Sequence, residues 1–286
     1  IITSKGTSGI GTQFYTVMAP NAQTSLFFGA SVSVLATEDN TKVTISDFKK
    51  PIFFWALGIP SSITFNLDKG QSYIADVRTV DALDNSDGFI GAKITSDKPI
   101  SITNGNFNGQ YASNTAAGSD ILMDQSVPVN KLGDEFVIVK GYGKIGNNME
   151  GAIVVATQKN TSIYLNDATT PIKTLANEGD YYRVEETNYI DRGNEHYNLH
   201  IKTNKNVYVY QLLGGVEAGD SPLATGGMNY IPPLNCYLPR KIDEISYINY
   251  LSDQPHNPEF YTKLNIITEK GAYVTINGKT PDSQYG

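Results

Sequence analysis

Hydrophobic residues along this chain recur mostly at every second position, in short runs broken by Gly, Asn, Asp, Ser and Pro. Alternation of this kind marks half-buried β-strands, and long helical stripes are missing, so an all-β protein is expected. The pattern also repeats. LATEDNTKVTISD (35–47) returns as VATQKNTSIYLND (155–167) and, more distantly, as IITEKGAYVTING (266–278). Each reads as a strand, a polar turn and a second alternating strand, which predicts one β-hairpin written three times.

The self-similarity extends outward from that motif. GTQFYTV (11–17) matches GDEFVIV (133–139), with IDEISYI (242–248) as a third copy. Asp47-x-x-x-Pro51 matches Asp167-x-x-x-Pro171, and KGQSYIADV (69–77) matches EGDYYRVEE (178–186). AKITSDKPISI (92–102) matches LHIKTNKNVYV (199–209), each predicted as strand, turn and strand. Short strands at this spacing suit tandem antiparallel β-sandwich repeats of Ig-like or jelly-roll-like type. The predicted units are 1–122, 123–228 and a partial third, 229–286; a propeller with two blades per unit is the alternative architecture.

The residues that carry the repeat resemble those of a known family. GTQFYTVMAPN, VLATEDNTKVTISD, GAKITSDKPISITNGN, EGAIVVATQKNTSIYLND and GGMNYIPPLNCYLPRKI are similar to the IgGFc-binding-protein-like N-terminal region. The resemblance implies a secreted module of a large surface protein. With its Asn-, Thr- and Tyr-rich, cysteine-poor character it implies the bacterial group, at the outer-membrane-associated cell surface, with gliding motility and type IX secretion as context. The implied partners are an extracellular surface, a glycan or protein ligand, and the cell's export or motility machinery.

Composition narrows the function classes. The formal net charge is −7 and charged residues make up 18%, which argues against nucleic acid, because such partners reward clustered Lys and Arg. One cysteine, Cys236, allows no intrachain disulfide and no Cys-based zinc cage. The longest apolar run, PIFFWALGIP (51–60), is too short for a membrane span. The opening IITSKG has neither an initiator Met nor a signal-peptide pattern, so the chain reads as an internal or processed piece.

Several local groups invite chemistry. GYGKIG (141–146) satisfies the dinucleotide fingerprint, but AIVVAT, a strand candidate, follows where the pyrophosphate-binding helix should start. It is expected to be a surface loop between strands with no helix after Gly146. His196 and His200, with Asp191 and Glu195 near, are four apart on a predicted strand, roughly 13 Å, too far to share one ion. Asp81, Asp84, Asn85 and Asp87 resemble calcium ligands without the EF-hand order, and an Asx-rich turn is the simpler reading. No nucleophile–base or metalloprotease pattern is present, so no enzymatic activity, cofactor or catalytic residue is expected.

One insertion breaks the repeat. Eighteen positions separate Ile52 from Gly70, against seven between Ile172 and Gly179, and the extra residues include Phe53, Phe54 and Trp55. These aromatics either pack into their own sandwich or form an exposed platform for a sugar or protein. The leading expectation is a non-enzymatic adhesin-type module; a carbohydrate-binding module is the alternative, and a hydrolase with carboxylates in a cleft is the third.

Overall fold

A computed structural model of the chain describes residues 4–79, 84–112, 119–217, 224–234, 241–242, 264–268 and 271–281. The protein is built from two antiparallel sheets. The first contains β1 (Ile10–Tyr15), β2 (Ser25–Ala36), β3 (Thr41–Ser46), β4 (Ile63–Leu67), β5 (Ser72–Thr79), β6 (Lys93–Gly109) and β7 (Asp120–Gln125). A single helical turn, α1 (Asp84–Asp87), precedes β6. The second sheet contains β8 (Gly133–Val139), β9 (Gly151–Ala156), β10 (Thr161–Leu165), β11 (Lys173–Leu175), β12 (Tyr181–Glu185), β13 (Ile190–Gly193), β14 (His196–Glu217) and β15 (Ala224–Tyr230).

The two sheets share a topology. The first runs β4-β3-β6-β2-β5 with β1 and β7 also on β6; the second runs β11-β10-β14-β9-β12 with β8, β13 and β15 also on β14. Each is organised by one long strand, β6 or β14. Its first half carries β3 and β1, or β10 and β8; its second half carries β2 and β7, or β9 and β15. AKITSDKPISI and its match are therefore not two strands with a turn between them. Each is one strand with a local break in register, between Lys202 and Val207 in β14.

The predicted hairpins are also different in kind. β2 and β3 do not pair with each other; both pair with β6, Ala36 opposite Ile100 and Val43 opposite Ser96. They lie end to end along the same strand, joined by an arch. β9 and β10 do the same on β14.

Side-chain bonds explain why the arch forms there. Asn40 and Asn160 adopt left-handed φ of 53° and 56°, which Asn tolerates better than most residues. The Thr41 and Thr161 hydroxyls donate back to the carbonyls of Glu38 and Gln158, each at 2.7 Å. Thr37 donates to Pro99 O at 2.5 Å and Thr157 to Asn206 O at 2.7 Å, tying each arch to the break in its long strand. From the other side, Asp97 accepts from the Lys42 N–H and Asn204 from the Ser162 N–H, both at 2.8 Å. The repeated Thr-x-x-Asn-Thr and its distant partners SDKP and TNKN thus form one clamp, present twice.

The third copy behaves otherwise. Among the described residues of 264–281 there is no strand, only a bridge from Ile276 to Lys279 around Asn277 and Gly278, both with positive φ. In the first two units the arch gains its partners from a long strand that comes later in the chain. Of the copy at 242–248 only Ile242 is among the described residues, and Cys236 lies outside them.

Two hydrophobic clusters form among the described residues. The smaller lies wholly within the second unit, where Phe136, Ile163, Leu199 and Ile201 meet Ala152, Val154 and Val209. The larger joins first-sheet residues such as Phe14, Val32, Val34 and Ile94 with Ile153, Val155, Tyr208, Tyr210 and Tyr230 of the second sheet. β9 is consequently buried along its whole length, whereas β2 leaves Leu35 exposed. This difference matches AIVVA, apolar at every position, against SVSVLA, which alternates.

Candidate functional site

The insertion after Ile52 begins as an extended segment whose alternate residues point in opposite directions. Ile52 and Phe54 are each 1% exposed, while Trp55 is 67% exposed and Phe53 lies largely at the surface. Phe54 therefore belongs to the core and not to any surface platform. Its ring packs with Phe48 at 5.2 Å and edge-on with Phe89 at 5.1 Å, in the geometry aromatic pairs prefer. Its backbone closes a tight loop, accepting from Leu57 and Gly58 and donating to Gly58 O at 2.7 Å. Gly58 takes φ 72°, a conformation that costs glycine little.

What the loop exposes meets a second surface element. The Arg78 guanidinium on β5 lies 5.8 Å from the Trp55 ring centre and 5.1 Å from that of Phe107, within cation–π range of both. Arg78 also donates to Leu26 O at 3.2 Å. There β2 bulges, its register with β5 skipping from Ser25 to Gly29, so that Leu26 and Phe27 turn outward. Phe107 packs against Gly29, where an added Cβ would come within 2.4 Å of the ring. Asn108 donates to Phe27 O at 3.0 Å and fixes the bulge.

The result is a surface on which Trp55, Phe107 and the outward-turned Leu26-Phe27 bulge meet at one guanidinium, with Leu57 and Ile59 exposed on the same loop as Trp55. Large contiguous apolar patches are uncommon on surfaces without a partner, and Trp and Arg are the residues that dominate binding surfaces. Sequence reasoning found Phe53 and Trp55 but missed Leu26, Phe27, Arg78 and Phe107. The Leu26-Phe27 pair at the start of an alternating strand was the one visible signal.

The acidic candidates brace this patch. Asn85 accepts from the Phe53 N–H at 2.6 Å and donates to Phe53 O at 3.1 Å, holding the insertion by its backbone. Asp84 pairs with Lys50. Burial pushes the Asp87 carboxyl up to about 6 despite Lys50 nearby. Asp81 lies outside the described residues. Among the described residues no group of three His, Cys, Asp or Glu side chains is placed to hold a metal ion.

The glycine motif is a cradle after all, for the chain's own carboxylates. Glu150, fully buried, accepts from the N–H groups of Gly141 and Gly143 at 3.0 Å and of Gly214 at 3.2 Å, with Lys140 at 4.0 Å. Glu186 accepts from Gly146 N at 2.5 Å. No helix follows Gly146; the tip of the loop is at the surface and its two ends are buried.

Both histidines fall on β14. His200 bridges two carboxylates, Glu135 at 2.9 Å from Nε2 and Asp167 at 3.3 Å from Nδ1. They line a shallow depression of about 470 Å³. His256 lies outside the described residues.

Fold and site together define an all-β module that presents a shaped apolar surface on a two-sheet frame; no helix among the described residues is long and apolar enough to cross a membrane. The chain belongs to the IgGFc binding protein family, whose model matches residues 3–286. Comparison with curated proteins and with solved structures gives no significant match.

Proposed function

We propose that this chain is a non-enzymatic binding module of a secreted surface protein, and that it engages an extracellular partner through the Trp55–Arg78 patch. The observation that carries the reading is the exposure of Trp55, Phe27, Leu26 and Ile59 together on backbone that is locked from beneath. Rigid aromatic anchors lose little entropy on binding, so such a patch is suited to recognition. An adhesin within a long repeat protein, at a bacterial surface and serving gliding motility, is the context that the family resemblance supports. The family's description names the Fc of IgG, which makes Fc the first protein probe.

A carbohydrate ligand is the second reading, favoured by the open indole ring of Trp55, since sugars stack on such faces. The test is retention of the purified chain on a glycan array and on immobilised Fc and matrix proteins, with Trp55→Ala and Phe27→Ser as controls. Binding that both substitutions abolish, without a change in melting temperature, supports the patch. Binding that both variants retain, or no binding to any surface, would sink it. A binding partner that is chemically converted would overturn the non-enzymatic part.

A further inference from the structure

The contact between the two units supplies a template for a contact the chain does not make with itself. The turn between β11 and β12 of the second unit, Glu178-Gly179-Asp180, lies on the outer face of the first. Glu178 accepts from the Tyr15 hydroxyl at 2.8 Å and meets Lys93 at 3.4 Å. Lys49 donates to Glu178 O and lies 3.5 Å from Asp180. Gly91 and Gly179 abut so closely that a Cβ on Gly91 would fall 1.8 Å from Gly179 O.

Repeat alignment carries that receiving surface onto the second unit. Lys49 corresponds to Thr169 and Lys93 to His200, and both counterparts line the depression around His200. The same alignment carries the inserted turn onto the first unit, where Lys69-Gly70-Gln71 stands for Glu178-Gly179-Asp180. That turn is fully exposed, and Gly70, with φ 81°, has no atom within 4 Å of where a Cβ would be.

The charges are exchanged in step. The acidic Glu178 enters a site with two lysines. Its counterpart is Lys69, and the counterpart site holds Glu135 and Asp167 beside His200. Glu135 stands where the first unit has Gln13, so the carboxylate that Lys69 would meet belongs to the second unit alone.

We propose that the depression around His200 receives the Lys69-Gly70 turn of a second copy of this chain, which links copies head to tail. A contact between two different surfaces leaves one of each free at the ends, so it adds further copies until it closes into a ring or runs on as an open array. Asn198 occupies the place of Gly91, so the close backbone approach is not repeated. The contact depends on the Lys69–Glu135–Asp167 charges and is sensitive to salt.

The test is sedimentation velocity of the chain over a range of concentrations at low and high salt, with Lys69→Glu, Glu135→Lys and their mixture. The expected result is self-association that weakens with salt and falls by about tenfold in association constant for either reversal, the order of a lost charge pair. Mixing the two variants restores it, because each reversed turn then meets a reversed site. A chain that remains monomeric throughout overturns the proposal. So does association indifferent to both reversals, or a mixture that fails to recover.

Discussion

After β1 and after β8 the chain leaves the sheet, and the two units satisfy the freed backbone groups in opposite ways. In the first unit the segment runs buried from Thr16 to Ala19 and is apolar after Thr16, and two buried amides on β6 serve it. Asn104 accepts from Val17 N at 2.5 Å; Asn106 accepts from Ala19 N at 2.8 Å and donates to Ala19 O at 3.0 Å. In the second unit the segment is Lys-Gly-Tyr-Gly, and one buried carboxylate, Glu150, takes three N–H groups. An amide is neutral and both gives and takes. A carboxylate only takes, so it needs a cation, Lys140, and donors that can approach closely. A Cβ on Gly141 or Gly143 would come within 2.8 or 2.9 Å of Glu150 Oε1. The glycines are there to admit the carboxylate.

The largest test of that contrast is Glu150→Leu against Asn106→Leu. Removing Glu150 leaves three N–H groups without their acceptor and a buried lysine, still bonded to Gly143 O, without its counter-charge, a loss of about 4 kcal/mol. Removing Asn106 strands one donor and one acceptor, about 2 kcal/mol. Urea unfolding measures both, and equal losses would break the contrast.

The buried carboxyls also make acid stability unusual. Burial raises the Glu150 carboxyl and lifts Asp87 from 3.8 to about 6. The folded chain then holds protons that the unfolded chain has released. Their contribution is fully present below the ordinary carboxyl range and is lost as pH rises, through about 6 for Asp87. Asp87→Asn should flatten that part of the stability–pH curve; an unchanged slope would remove Asp87 from the account.

Where the units agree, the effects should agree. Thr37→Val and Thr157→Val each remove one hydroxyl bond from the arch clamp and should each cost about 1 kcal/mol. A marked inequality would show that the two clamps are not equivalent. Smallest of all, Trp55→Ala should shift stability by no more than about 0.5 kcal/mol, and an aqueous quencher should reach the indole of the native chain. A protected indole would place Trp55 in a contact this structure does not have.

Much of this was legible along the chain. The strands, the repeat and the polar turn at Glu38–Asn40 all stood in the sequence, and the double burial of β9 was written in AIVVA. Pairing was not, because a strand's partner is a distant residue: nothing in LATEDNTKVTISD says that its halves share β6 and not each other. The site was half visible for a similar reason. Ile52-Phe53-Phe54-Trp55 is apolar at every position, so its inward and outward residues look alike, and only Phe48, Phe89 and Arg78, brought from elsewhere, sort them. The glycine spacing at 141–146 reads as a loop between strands, and the Glu150 carboxylate that its N–H groups hold lies where the motif alone does not point.

The long strand of each unit has one further consequence, for the order of events when the chain is made. Among the described residues β1 has no ladder partner except β6, and β8 none except β14; the pairs β3–β4 and β2–β5 are joined to each other only through β6. Since β6 follows three of the four strands that pair with it, and β14 four of five, a nascent unit carries unpaired edges until its long strand appears. Completion then comes in one late step, and a chain threaded through a membrane from its first residue would stay unfolded unit by unit until the long strand of each had followed.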